Sequence, residues 1–269
     1  MILSICYPAY RSQVNAGHMY QLGSLVAAAH APYMESLEEI AAAAKGGNKE
    51  RKRLAGLLAK ELAAPSIVHL NVHDSCFLDL ARNCLLYDAA YRQEADWALM
   101  CDADTFHAGP VPVITMLNTG NQLKAAIIGA PVKLRGQDAY NVQALPSVYM
   151  PREEWIDKVM EIERIGTAFM AINCRWLRQS GWSWDYRDPW FTSRFLSPDE
   201  MEASNMDRAR PMKMSEDYEF CDKIRARGGK VYVDGRLEPV HAGITSETAT
   251  RCMLRINGVE REDASESAT

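Results

Sequence analysis

The sequence predicts an α/β protein with a mixed, mainly parallel sheet flanked by helices. Three observations carry that expectation. Short apolar runs alternate with stretches of helical periodicity through the first hundred residues, the pattern of strands joined by crossover helices. The run Trp97-Ala98-Leu99-Met100-Cys101 reads as a strand buried on both faces, and it ends on Asp102-Ala103-Asp104. The 269 residues are 48% hydrophobic and 24% charged, an ordinary globular composition with enough chain for a substantial core.

The elements follow in order. Residues 2–6 read as a first strand, Tyr7-Pro8-Ala9-Tyr10 as a loop, and 15–30 as a helix. Residues 34–64 read as a helical insertion in two pieces, broken at Gly46-Gly47-Asn48. Its second piece carries Lys49, Arg51, Lys52, Arg53 and Lys60, either a solvated face or a basic patch for an acceptor. Residues 66–72 are a strand, 77–95 a long helix, and 96–101 the strand before the carboxylates. Residues 111–117 look helical and 125–129 look like a short strand. The stretch 136–152, rich in Pro, Gly, Asn and Gln, is expected to be extended and substrate-facing. Residues 163–173 read as a strand, while 181–195 and 197–210 resemble surface loops. A helix over 216–226, a strand over 230–234 and a loop over 239–243 complete the pattern. The polar tail 260–269 is expected to be disordered. The expectation is one catalytic domain over 1–259, with 1–130 mainly its donor half and 131–259 mainly its acceptor half.

Composition narrows the classes. Seven cysteines, an odd number without a Cys-x-x-Cys pair, argue against a disulfide framework or zinc ribbon and for buried thiols in a cytoplasmic protein. No apolar run is long enough for a membrane span, and the N-terminus lacks the features of a signal peptide. A net charge of −5 disfavours a surface built wholly for polyanions.

The chemistry concentrates in a few places. In an open α/β sheet, ligands bind at the carboxyl ends of the strands. Two carboxylates there repel unless a cation or proton lies between them, and Mg²⁺ and Mn²⁺ take oxygen ligands that they share with phosphates. Asp102 and Asp104 therefore point to a metal–diphosphate site. Ser215-Glu216-Asp217 opens a helix, where the acids either complement the helix N-terminus or do chemistry. His241 follows a strand in a Gly-containing loop, and Arg82-Asn83 lies in the helix before the carboxylate strand. Gly166-Thr167-Ala168 offers small residues, for close approach to a sugar or for tight packing. Trp182, Trp184, Tyr186, Trp190 and Phe191 either close a small core or stack on a ligand.

In order, Cys6-Tyr7-Pro8-Ala9-Tyr10, Ala81-Arg82-Asn83, Asp102-Ala103-Asp104, Ile165-Gly166-Thr167-Ala168-Phe169-Met170, Ser215-Glu216-Asp217 and His241-Ala242-Gly243 resemble the GT-A fold (Rossmann-like) glycosyltransferases, especially family 2-like members of bacteria and large bacteriophages. The resemblance spans roughly residues 1–245. Neither the helical insertion nor the aromatic segment 182–195 has a counterpart in it.

The resemblance implies roles. Asp104, Asp102 and His241 would hold a divalent cation, Mn²⁺ or Mg²⁺, that neutralises the departing diphosphate. Pro8, Tyr10, Arg11, Arg82, Asp102, Gly166 and Thr167 would bind the nucleotide sugar. Asp217 would be the general base and Glu216 would orient sugar hydroxyls. Base-assisted attack would invert the anomeric centre, with retention left open. Lys133, Asn141, Trp182 and Trp184 are the acceptor candidates. UDP-glucose is the first-choice donor, and a 5-hydroxymethylated pyrimidine (5-hydroxymethylcytosine) in phage DNA the first-choice acceptor. The alternatives are a surface or cell-wall glycan acceptor and a non-catalytic nucleotide-sugar-binding protein.

Overall fold

The computed structural model describes residues 1–9, 67–74, 77–102, 105–106, 110–134, 138–145, 148–203, 212–237 and 239–241. The expected helices over 15–30 and 34–64, the basic residues 49–60, Tyr10, Arg11, Asp104 and the tail 260–269 lie outside them. Of Tyr7 and His241 only the backbone is described.

Strand β1 (Ile2–Ala9) pairs with β2 (Ile67–Asp74) along its whole length and with β3 (Trp97–Cys101) from Leu3 to Cys6. The expected loop at residues 7–10 is therefore strand up to Ala9. Pro8 is tolerated because it falls past the last β3 contact, where its missing N–H leaves no gap on that side. Helix α1 (Leu78–Tyr87) widens into a π-helical turn over Asp88–Arg92, so the expected single helix over 77–95 changes pitch halfway. After β3 come β4 (Thr105–Phe106), α2 (Pro110–Leu123) and β5 (Ile127–Gly129). The stretch expected to be merely extended forms β6 (Val142–Leu145) and β7 (Val148–Tyr149), before α3 (Arg152–Trp155) and β8 (Val159–Glu161).

The expected strand over 163–173 is two strands. Its first part, β9 (Arg164–Ile165), joins a small sheet of order β7-β6-β9, and its second, β10 (Phe169–Asn173), enters the main sheet. Then follow α4 (Cys174–Gln179), β11 (Arg194–Phe195), α5 (Pro198–Ala203), β12 (Lys213–Met214), α6 (Glu216–Ala226), β13 (Val231–Asp234) and β14 (Val240–His241).

The main sheet has seven strands in the order β2-β1-β3-β10-β5-β13-β8. Strands β2, β1, β3, β5 and β13 share one direction, while β10 and β8 run against them. The mixed, mainly parallel sheet expected of the chain is thus present. Because β10 is reversed, its start lies at the carboxyl end of β3, with Phe169 opposite Cys101. That reversal carries Gly166-Thr167-Ala168 to the edge where Asp102 emerges.

Alternation along the strands splits the core into two layers. Cys6, Ala98, Met100, Met170 and Ile172 pack with Leu85 and Leu86 of α1, and Leu3, Leu99, Phe169 and Ala171 with Val113 and Leu117 of α2. The segment expected to be a surface loop over 181–195 instead supplies core. Trp182, Trp190 and Phe191 are buried, Phe191 stacks on Phe220 at 4.4 Å, and the Arg227 guanidinium lies 4.0 Å from the Trp182 ring centre. Burial of such rings outweighs any loop preference of the intervening Gly, Ser and Asp residues. Among the described residues, no helix is long and apolar enough to cross a membrane.

Candidate active site

Asp102 leaves β3 tied on both sides. Its N–H donates to the Ala168 carbonyl at 3.2 Å, and its own carbonyl accepts the Thr105 N–H at 3.0 Å. The chain on the far side of Asp104 is pinned by β14, which pairs antiparallel with β4 so that His241 lies opposite Thr105. Cα atoms facing each other in such a pair are about 4.5–5.5 Å apart. The backbone of His241 thus neighbours the residue that directly follows Asp104, although 136 positions separate His241 from Thr105 in sequence.

Arg82 lies beneath this edge, 3% exposed. Its guanidinium donates from Nη2 to Asp102 Oδ1 at 2.9 Å and from Nη1 to Glu216 Oε1, joining the end of β3 to the start of α6. Burial works against the charge, but Asp102, Glu216 and Asp217 outweigh it and hold the guanidinium above its ordinary range. Burial pushes the Glu216 carboxyl up, assisted by Asp217 and opposed by Arg82. Among the described residues, one cation faces three carboxylates at this edge.

Helix α6 sorts its acidic residues by partner. Glu216 pairs with Arg82, Glu219 with Arg194 at 2.5 Å and Asp222 with Arg164 at 2.8 Å. Asp217 has no ion-pair partner among the described residues. It accepts hydrogen bonds from the Tyr218 N–H at 2.8 Å, the Thr167 N–H at 3.3 Å and the Ser215 hydroxyl. These contacts orient the carboxylate and leave it without a neutralising cation.

Gly166 is enclosed by its neighbours. A Cβ there would lie 2.8 Å from Asn141 Nδ2 and 3.2 Å from Asp217 Oδ2. The position therefore has no room for a side chain. Asn141, 4% exposed, spends its side chain on the Val132 N–H at 2.7 Å and the Gly166 carbonyl at 3.3 Å. It is a strut behind the site.

Three buried polar atoms here lack partners among the described residues: the Arg82 Nε–H and the hydroxyls of Thr105 and Thr167. Buried polar groups are nearly always satisfied, so a cluster of orphans beside this carboxylate edge fits a polar ligand with a cation. The donor set of Asp102, Asp104 and His241, carboxylate oxygens and one imidazole nitrogen, suits Mn²⁺ or Mg²⁺. Among the described residues there is no cluster of three metal-ligating side chains. Thr105 is the residue the sequence reading missed; its only signal was adjacency to Asp104.

The remaining candidates are dispersed. Pro8 is buried near the end of β1. Lys133 is exposed and paired with Asp138 at 2.9 Å. Trp182 is 7% exposed within the aromatic core, whereas Trp184 is 41% exposed.

No model of a known protein family matches the chain, and no curated protein matches it. Solved structures do. A197 from STIV superposes with a TM-score of 0.52 at 11% identity, over 90% of this chain and 86% of that one. That likeness shows the fold. The structure of GalNAc-T7 with UDP, GalNAc and Mn²⁺ matches with a TM-score of 0.48 at 14% identity, over 93% of this chain and 47% of that one. This chain spans about half the length of GalNAc-T7.

Proposed function

We propose that the chain is a metal-dependent glycosyltransferase that moves a hexose, with UDP-glucose the first donor to test, onto an acceptor hydroxyl with inversion. The observation that carries this reading is the meeting of three distant segments at the carboxyl edge of the sheet. Asp102 and Thr105 are joined there by the backbone of His241 and, through Arg82 and Thr167, by the start of α6.

In this reading Asp217 takes the acceptor proton. As the hydroxyl oxygen bonds to the anomeric carbon, the bond from that carbon to the diphosphate oxygen breaks and its electron pair leaves with the nucleotide. The Thr167 N–H fixes one oxygen of Asp217, and the buried Thr167 hydroxyl and Arg82 Nε–H, unpartnered among the described residues, would donate to the sugar or diphosphate once it seats against them. Glu216 acts through Arg82, holding the base helix against the end of β3. Asp104, Asp102 and His241 would hold the cation, which supplies Lewis-acid neutralisation of the growing negative charge. A 5-hydroxymethylated pyrimidine in DNA and a glycan are the two acceptors to compare.

The test is transfer from a panel of nucleotide sugars, read by mass gain of either acceptor, with EDTA and then Mn²⁺ or Mg²⁺ added. Activity should vanish with EDTA and return with metal. Asp217→Asn should lose a factor on the order of 10²–10⁴ in rate while still binding donor. Full turnover in Asp104→Ala, or an Asp217→Asn variant as active as the parent, would overturn the proposal.

A further inference from the structure

Behind the carboxylate edge, α1 borders a second hollow. A half-open cleft of about 540 Å³ lies between the outer face of α1 and its π-helical turn, the end of β2 and the aromatic segment. Asn83, Tyr87, Asp88 and Arg92 line it from one helix face, His73 from β2, and Trp184 from the opposite wall. Its size falls in the range of ligand pockets, about 300–1,000 Å³.

The cleft is braced in its open form. Asn83 donates from Nδ2 to the Phe191 carbonyl at 2.7 Å and accepts the Phe191 N–H at 3.0 Å, bonding the segment that bears Trp184 to α1. Preorganisation of this kind lowers the cost of binding. Two aromatic side chains in it are partly exposed, Tyr87 at 40% and Trp184 at 41%. Asp88 and Arg92, paired at 3.0 Å, line the same cleft, and the Arg92 guanidinium lies 5.8 Å from the Tyr87 ring centre.

This composition selects a ligand chemistry. Half-exposed rings suit a flat ligand with an apolar face, and a carboxylate beside a guanidinium suits a ligand with many hydroxyls that both donate and accept. A nucleic-acid backbone calls for several uncompensated cations, and among the described lining residues the single arginine, Arg92, is already paired with Asp88. A pyranose ring, with a C–H face and a rim of hydroxyls, meets each requirement.

We propose that this cleft binds neutral saccharide units of the acceptor at a distance from the reacting hydroxyl. The proposal rests on the glycosyltransferase reading for the word acceptor, though not for the binding itself. Arg82 and Asn83 are consecutive: Arg82 reaches Asp102 and Glu216, while Asn83 lines the cleft. Successive helical residues point about 100° apart, so the cleft and the carboxylates are served by different faces of α1. The cleft is thereby suited to units of a chain next to the one that bears the attacking hydroxyl. Binding energy gained there would appear in KM for long acceptors more than in kcat for short ones.

The test titrates the protein, without donor or metal, with cellohexaose, maltohexaose and chitohexaose and follows tryptophan fluorescence. A 5-hydroxymethylcytosine duplex serves as the competing ligand. At least one oligosaccharide should bind saturably and without salt dependence, and Trp184→Ala and Tyr87→Ala should each weaken it on the order of tenfold. Both side chains are partly exposed, so circular dichroism should show the variants folded. Asp217→Asn should bind as the parent does. Absence of binding to all three sugars, binding indifferent to both aromatic variants, or duplex displacing sugar with a steep salt slope would each overturn the proposal. Saccharide binding that needs Trp184, in a protein that transfers from no donor, would sink the glycosyltransferase reading and leave the cleft standing. Transfer without such binding would do the reverse.

Discussion

The backbone N–H of Thr167 donates to Asp217 at 3.3 Å, while the hydroxyl of the same threonine, in a residue 1% exposed, has no partner among the described residues. The two groups of Thr167 thus separate into a structural one and an idle one. Thr167→Val keeps the N–H and the side-chain shape and removes only the idle oxygen. Stability in urea should be unchanged or rise by up to about 1 kcal/mol, because a buried unsatisfied group is lost. The donor KM should nevertheless rise on the order of tenfold, the cost of one hydrogen bond. A clear fall in stability would mean the hydroxyl is satisfied in the free protein.

Gly166→Ala tests the enclosure from the other side. Its new methyl would press on Asn141 and on the Asp217 carboxylate, with overpacking costs of about 1–3 kcal/mol. Since Asp217 stands at the surface of the site and Asn141 is buried, the carboxylate should yield first. Transfer should therefore fall much further than thermal stability, as measured by kcat against a melting curve.

Arg82 is where stability and site coincide. Arg82→Met leaves Asp102 and Glu216 facing each other without compensation, a change that typically costs about 3–5 kcal/mol. Adding Glu216→Gln should recover part of that loss, since one of the stranded charges is then gone. Arg82→Lys keeps the charge but loses the fork that reaches both carboxylates, so it should fall between parent and Met variant in a denaturant titration.

The lobe beside α6 should respond to acid. Hydrogen bonding to Arg194 pulls the Glu200 carboxyl from 4.5 down to about 2, against the opposing effect of burial. A carboxylate depressed on folding contributes stability that is fully present above pH 4.5 and lost as the pH falls from there toward 2. The small core of Leu196, Met201, Met214 and Tyr218 should loosen in that window, as hydrogen exchange can read. With partial solvent screening, Glu200→Gln should cost about 1 kcal/mol at neutral pH and flatten the acid limb of the stability curve.

The sheet was legible because buried strands such as Trp97–Cys101 and Val231–Asp234 declare themselves by apolar content alone. The aromatic segment was not. Its aromatics alternate at 182, 184 and 186 as a strand would, yet no strand forms there, and the partners of Trp182, Phe220 and Arg227, lie on or just past α6. The division of residues 163–173 was equally hidden: Gly166 could be read, but not that Asn141 and Asp217, distant in sequence, crowd it. At the site, acids at a strand end and a helix start could be read directly. The junction at Arg82 could not, because its partners stand 20 and 134 residues away. Asp88–Arg92 departs from α-helical pitch with no proline or glycine to announce it.

The pairing of β14 with β4 makes the far end of the described chain a clasp on the short strand just beyond β3. A protein cut back to residue 237 would keep every strand of the seven-stranded sheet. It should still fold, and on the proposed function it should lose donor binding. Tags or fusions that tug on this end are best avoided by anyone assaying it.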